Sequence, residues 1–231
     1  MAVNDVTGEV ISGQGSIPEG FRHYILKYDD NSVYPFAKLE YVYYKMSVDA
    51  GIVMMPSELR TYGGVTHFLT QRFDRNGNEK IHTQTLAAMS PQSDSYEDIF
   101  AVIRRLNLPY EDSRQQYLRM VFNVLARNVD DHSKNVSFCM DHAGVWRLSP
   151  AYDVTFSVDL AAPAYVNRQS LTVNGKNENI TREDLETVAK NNDILDYNAL
   201  IDGVIFSLSK FEQYAKELDI DKSLIEQINA V

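Results

Sequence analysis

This chain has little cysteine, little positive charge and no long apolar run. A single cysteine, Cys139, cannot close an internal disulfide, so nothing in the 231 residues calls for an oxidising compartment. It lies in the apolar run Val136 to Met140 and reads as a small packed thiol. The 22 lysines and arginines are outnumbered by 32 acids, leaving a net charge of -10 and a pI near 4.9. A general binder of nucleic-acid phosphates carries a basic face, and this balance argues against one. No stretch approaches the roughly 18 apolar residues of a membrane span, and no apolar leader opens the chain, so a cytoplasmic protein without membrane contact is expected. The five histidines, His23, His67, His82, His132 and His142, lack paired ligand spacing, which argues against zinc.

What is present is a mixed pattern. Glycines among polar residues before Phe21 suggest a turn or hairpin, and Gly13-Gln14-Gly15 without a following helix is a weak phosphate-loop signal. Phe21 to Tyr28 alternates as a strand, and a lysine on it, Lys27, wants an anion if it faces inward. Pro35 starts a helical stripe through Leu39, Val42, Tyr43 and Met46, ended by Gly51, with Glu40 beside the stripe and able to face Lys27. Leu59 to Tyr62 and Val65 to Phe73 read as strands around Gly63-Gly64. From His82 onward the chain is expected to be helical: Tyr96 to Leu106, then Ser113 to Asn128 capped by Asp112 or Ser113. Val136 to Met140 and Val145 to Leu148 suggest a hairpin. Thr155 to Asn179 is irregular, and Thr181 to Lys190, Tyr197 to Leu218 and Asp221 to Ala230 form a helical tail.

The densest chemistry is at Arg127 to Asp153, RNVDDHSKNVSFCMDHAGVWRLSPAYD. Asp130, Asn135 and Asp153 are hard oxygen donors that suit a divalent cation retaining water and phosphate oxygens, and magnesium fits better than zinc. An Asp, an Asn about five residues on, and a second Asp after a short hairpin is the layout of a phosphoryl-transfer loop. Read without further context, Asp130, Asp131 and Asp153 also allow a metal-dependent phosphoesterase.

NVDDHSKN followed by WRLSPAYD, and preceded by QRFDRNGNEKIH, resembles the catalytic region of the HipA family of toxin serine/threonine kinases. The likeness runs from about Gly8 to about Lys190 and includes LKYDD and LEYVYYKMSVDAGI. It implies an α+β, protein-kinase-like fold of two lobes, with a small β-rich N-lobe at residues 1–75 and a mainly helical C-lobe at 76–231. It also implies ATP and Mg2+ as cofactors. Asp130 would be the catalytic base, and Asn135 and Asp153 the metal ligands. His132, Lys134 and Lys27 would lie by the phosphates, the backbone of Gln71 and Phe73 would hold adenine, and Asp74 would reach the ribose. Glu40 would orient Lys27. The partners implied are a protein substrate, an aminoacyl-tRNA synthetase being the known kind, and a HipB-like helix-turn-helix antitoxin.

The family's Gly-rich phosphate loop and N-terminal subdomain precede the lysine strand, and the residues before Lys27 are too few for both. The chain is therefore expected to begin inside the N-lobe. The alternative this raises is a catalytically weak or inactive kinase-like binding module, acting with an antitoxin or a companion N-lobe chain.

Overall fold

The computed structural model describes residues 1–29, 34–163 and 166–230. Its first part is an antiparallel sheet of five strands. β1 (Ala2–Asn4), β2 (Val10–Ile11), β3 (Phe21–Lys27), β4 (Ser57–Tyr62) and β5 (Val65–Gln71) lie in the order β2-β1-β3-β5-β4. The turn between β4 and β5 is the pair Gly63-Gly64, whose φ angles of 59° and 84° are both positive. Two consecutive left-handed residues define the type I′ turn whose twist matches the flanking strands, which is why glycine occupies both positions. Lys27, the last residue of β3, stands opposite Phe68 of β5.

Between β3 and β4 runs α1 (Phe36–Asp49). Pro35 supplies the restricted φ that starts it, and the chain leaves it through Gly51 at φ 88°, a left-handed exit that favours glycine. Its buried face, Leu39, Val42, Tyr43 and Met46, joins the large core of the helical part. The sheet keeps only a small cluster of its own around Val3, Tyr24 and Leu69. Tyr43 donates its hydroxyl to the Ala126 carbonyl at 2.7 Å and meets Phe122 edge-on at 6.3 Å. The helix is therefore tied to the helical part.

A two-stranded ribbon, β6 (Arg75–Asn76) with β7 (Glu79–Lys80), is followed by β8 (His82–Thr85) and α2 (Leu86–Met89). Helices α3 (Tyr96–Arg105) and α4 (Tyr110–Leu125) then deliver the chain to the polar loop, and β9 (Ser137–Met140) and β10 (Trp146–Leu148) follow it. Four helices close the chain: α5 (Arg182–Asn191), α6 (Tyr197–Leu208), α7 (Phe211–Glu217) and α8 (Lys222–Asn229). Reciprocal capping boxes start α3 at Ser95/Asp98 and α5 at Thr181/Asp184. No helix among the described residues is long and apolar enough to cross a membrane.

Three sequence expectations fail locally. The chain from His82 is not helical at once: His82–Thr85 is a strand paired with β9, so the expected hairpin is the larger part of a three-stranded sheet. Its partner lies more than fifty residues onward, out of reach of any local pattern. α4 begins behind Pro109, not at a cap on Asp112 or Ser113. Asp112 instead accepts the Leu148 N–H at 3.2 Å. The tail from Tyr197 to Leu218 breaks at Ser209-Lys210 into two helices.

Candidate active site

The end of β3 and the first half of α1 bring Lys27 and Glu40 together, Nζ to Oε1 at 2.6 Å. The same ammonium pairs with Asp153 Oδ1, 126 residues away in sequence. Burial pushes the Glu40 carboxyl up to about 7, although Lys27 beside it and its hydrogen bond work the other way. Burial also works against the Lys27 charge, but Glu40 and Asp153 together outweigh it and hold the ammonium above its ordinary value. The cation is thus kept charged by two carboxylates from two different segments. Asp153 has φ 57°, a left-handed conformation that aspartate tolerates better than branched residues do.

The polar loop separates neighbours in sequence into inside and outside. The Asp130 side chain is 64% exposed, whereas Asp131 is 3% exposed. Asp131 accepts from Tyr96 Oη at 2.6 Å, Ser170 N at 2.7 Å, Gln169 Nε2 at 3.0 Å and Leu171 N at 3.3 Å. Burial pushes it up to about 6 in spite of these donors. The Asp130 N–H donates to Ser157 Oγ at 3.0 Å, and that hydroxyl donates to Asn128 Oδ1 at 3.1 Å. Asn135 Nδ2 donates to the Asp130 carbonyl at 2.9 Å, which leaves the Asn135 side-chain oxygen to accept elsewhere. His132 Nε2 lies 3.7 Å from Asp130 Oδ1, and Lys134 is exposed. Tyr152 donates to the Lys134 carbonyl at 2.7 Å and, its only proton spent, accepts from Ser137 Oγ at 2.6 Å.

Two adjoining cavities divide these residues. The larger, about 300 Å³, lies between the sheet and the helical part, with apolar walls from Ile25, Met54, Met55, Phe68 and Val154. Lys27, Glu40, Gln71, Phe73, Asp74 and Asp153 also line it. The smaller recess, about 20 Å³, is lined by both Asn135 and Asp153, with Asp131 beneath them. Asp153 and Tyr152 border both. Asp130, His132 and Lys134 line neither, and Gly13-Gln14-Gly15 is also away from both, with Gly13 packed on the Met1 backbone.

At the cavity's outer edge the Gln71 N–H is already committed to the Pro56 carbonyl at 3.0 Å. Of its two backbone polar groups, that leaves the carbonyl as the one that could meet a ligand. The Phe73 ring tilts against Tyr152 at 5.5 Å. Asp74 is clasped by Arg72, through both oxygens at 2.7 and 2.6 Å, and by Arg75 at 2.6 Å. Burial would raise its carboxyl, but these arginines hold it below its ordinary value.

The donor set fits a magnesium ion. One amide oxygen and one carboxylate meet at a recess of about one water's size, as expected for a hard cation that takes its other ligands from phosphates and water. Among the described residues no three His, Cys, Asp or Glu side chains cluster as a metal cage. Asp131 lines the same recess with its oxygens engaged by four donors, and Asp130 lines neither cavity, so the three aspartates of the phosphoesterase alternative do not share one cavity.

Sequence reasoning missed Arg119 and Tyr152. Arg119 sits inside the apolar stripe of α4, 8% exposed, and donates to the Ser149 carbonyl at 2.7 Å, pinning the segment that leads to Asp153. Burial pulls its guanidinium down to about 10. A charge embedded in an apolar helical stripe was the available signal.

A curled antiparallel sheet with one helix, a helical body behind it, and a lysine–glutamate pair at the cavity between them define a kinase-like fold. Within that class the chain belongs to the HipA-like C-terminal domain family, whose model matches residues 2–228. Among solved structures it is similar to HipA of Shewanella oneidensis MR-1, determined with HipB and its operator DNA, at 18% identity and a TM-score of 0.69. That match covers 90% of this chain and 55% of HipA, so the chain spans little more than half of that toxin's length. It is also similar to the proinflammatory kinase CtkA of Helicobacter pylori, at 13% identity and a TM-score of 0.55, over 86% of this chain and 89% of that one. No curated protein sequence matches it.

Proposed function

We propose that this chain is the catalytic region of a HipA-like serine/threonine protein kinase, the toxin of a toxin–antitoxin pair. It moves the γ-phosphoryl group of ATP to a serine or threonine hydroxyl of a protein. Residues 1–75 form its small lobe and 76–231 its large one. The observation that carries the reading is Lys27 held between Glu40 and Asp153, with Asn135 and Asp153 on one recess. A phosphoryl-transfer site needs little covalent chemistry from the protein but does need charges converging on the phosphates.

In this reading adenine enters the 300 Å³ cavity, meeting the Gln71 carbonyl and the Phe73 N–H, and its walls exclude water. Asp74, already clasped by Arg72 and Arg75, shares its carboxylate with the ribose. Lys27 turns from Asp153 to the phosphates while Glu40 keeps it aligned, and His132 and Lys134 supply further donors. Asn135 and Asp153 would hold Mg2+, which when bound would supply positive charge against the phosphates. The exposed Asp130 carboxylate orients the attacking hydroxyl and takes its proton as the new P–O bond forms. A HipB-like helix-turn-helix antitoxin restrains the protein in the cytoplasm, a reading supported by the HipB in the Shewanella complex.

The test is label transfer from γ-labelled ATP with Mg2+ to candidate proteins, comparing wild type with Asp130→Ala and Asp153→Asn. Asparagine is chosen at 153 because it tolerates the left-handed backbone there. Transfer should fall in both variants, and transfer unchanged in both would sink the residue assignments.

A second reading rests on the 55% coverage of HipA: a kinase-like binding module that acts with an antitoxin or companion chain. Nucleotide-dependent thermal stabilisation separates the two, because only a chain that binds ATP gains stability with occupancy. No shift at millimolar ATP and Mg2+ favours the module.

A further inference from the structure

An open trough of about 950 Å³ shares no lining residue with the cavity between the sheet and the helical part. Its walls come from three separate parts of the chain: the start of α1 at Phe36, the segment Phe156 to Ala161, and the link from α7 into α8. The floor is apolar, with Phe156, Val158, Leu160, Ile220 and Leu224, and Phe36 stands 60% exposed at one edge. The rim carries Asp159, Asp219 and Asp221, all exposed. No lysine or arginine is among the described residues that line it, and none of these three aspartates forms an ion pair with a described residue.

One wall residue connects the trough to the chemistry. Ser157 lines it and at the same time accepts the Asp130 N–H. A polypeptide lying in the trough therefore runs beside the loop that presents Asp130. An apolar floor under a one-signed acidic rim selects a partner of matching pattern, because like charges along such an edge are repelled and unlike ones are steered in. The acidic chain as a whole, at net charge -10, points the same way and disfavours nucleic acid as occupant.

We infer that this trough is a docking groove for the substrate protein, taking an apolar side chain flanked by lysine or arginine close to the phosphorylated hydroxyl. The inference rests on the kinase reading for the identity of the occupant, while the groove's binding chemistry is independent of nucleotide. Specificity then lies partly in Asp159 and Asp219, which form no ion pair with a described residue, and in the exposed ring of Phe36.

The experiment is fluorescence anisotropy of the full chain, without nucleotide, against two degenerate peptide pools. Both pools centre on serine with leucine or phenylalanine nearby; one carries arginine and lysine at the flanks and the other aspartate and glutamate. The basic pool should bind and weaken with salt, as exposed charge pairs do. Asp159→Asn with Asp219→Asn should reduce that binding at least about fivefold, and Phe36→Ala should reduce it without changing the salt dependence. Asparagine preserves the left-handed backbone of Asp219, at φ 54°, so these variants keep the fold, which thermal melting checks. Equal binding of the two pools, no binding at millimolar peptide, or wild-type binding in the variants would overturn the inference. So would concentration-dependent dimerisation that Phe36→Ala abolishes, since the occupant would then be a second copy. Thermal stabilisation by ATP and Mg2+ is measured in parallel. Its absence alone counts against the kinase reading, whereas selective peptide binding still reports the groove.

Discussion

The Tyr96 hydroxyl donates to Asp131 Oδ2 over 2.6 Å inside the protein, one residue from the exposed carboxylate of Asp130. The paired aspartates are thus an anchor and a reactive group, and the anchor dictates which way the other points. Replacing Asp131 by alanine leaves the buried Tyr96 hydroxyl and Leu171 N–H without an acceptor, at about 1–3 kcal/mol for each that finds no water. The Ser170 N–H and Gln169 Nε2 keep the Val129 and Asn128 carbonyls. Urea titration of Asp131→Ala should show a loss of about 3 kcal/mol or more, and Tyr96→Phe a loss of about 1–2 kcal/mol. Asp130→Ala, at the surface, should leave the urea midpoint nearly unchanged. Equal stability losses at both aspartates would contradict the division.

Lys27 is poised between two acceptors, which makes it sensitive in a different way. Lys27→Met removes the cation shared by Glu40 and Asp153 while retaining the length of the stem. Label transfer should drop by ~100-fold or more, the scale of removing one charge-stabilising group from an active site. Glu40→Gln should cost less, because the ammonium is retained and the amide oxygen can still accept a hydrogen bond from it. Rates that rank in the opposite order would show that Glu40 does more than orient Lys27.

Tyr43 ties α1 to the helical body, and Glu40 rides on that helix. Tyr43→Phe leaves the Ala126 carbonyl without its 2.7 Å donor and should destabilise by about 1–2 kcal/mol. Tyr43→Ala opens a cavity beside Phe122 and should cost about 3–5 kcal/mol. Denaturant midpoints measure both, and a loss of transfer activity in Tyr43→Phe beyond the loss of folded protein would report movement of Glu40.

Asp184 offers the clearest pH signature. Its buried carboxylate takes a hydrogen bond from Lys176 Nζ at 2.9 Å, with further donors from the Thr181 N–H at 2.8 Å, Asn174 Nδ2 at 2.9 Å and Thr181 Oγ1 at 2.9 Å. Lys176 and these donors hold its pKa well below the ordinary 3.8, although burial alone would raise it. A folded-state pKa below the unfolded one means the stabilisation is complete above about pH 4 and drains away as the pH falls further. Asp184→Asn should therefore melt below wild type at pH 7, and the gap should narrow as the pH is lowered beneath about 4. A gap that stays constant between pH 7 and pH 3 would remove Asp184 from the acid limb.

Much of the scaffold was legible because its determinants are close in sequence. The Thr181/Asp184 box is a four-residue pattern, Pro35 and Gly51 bracket α1, and the Gly63-Gly64 turn announces its hairpin. β8 was not legible: His82–Thr85 is short and polar, and becomes a strand only by pairing with β9.

The site divides along the same line. Residue types and spacing from Asp130 to Asp153 determined, without a structure, which chemistry this loop suits, since carboxylate, amide and ammonium groups keep their character in any fold. Only tertiary structure decided that Asp130 faces out and Asp131 in, that Arg119 pins Ser149, and that Lys27 reaches Asp153 across 126 residues. Burial and charge pairing depend on which distant segments meet, and adjacent aspartates acquire opposite roles only when Tyr96, Gln169 and Ser170 arrive on one side of the loop.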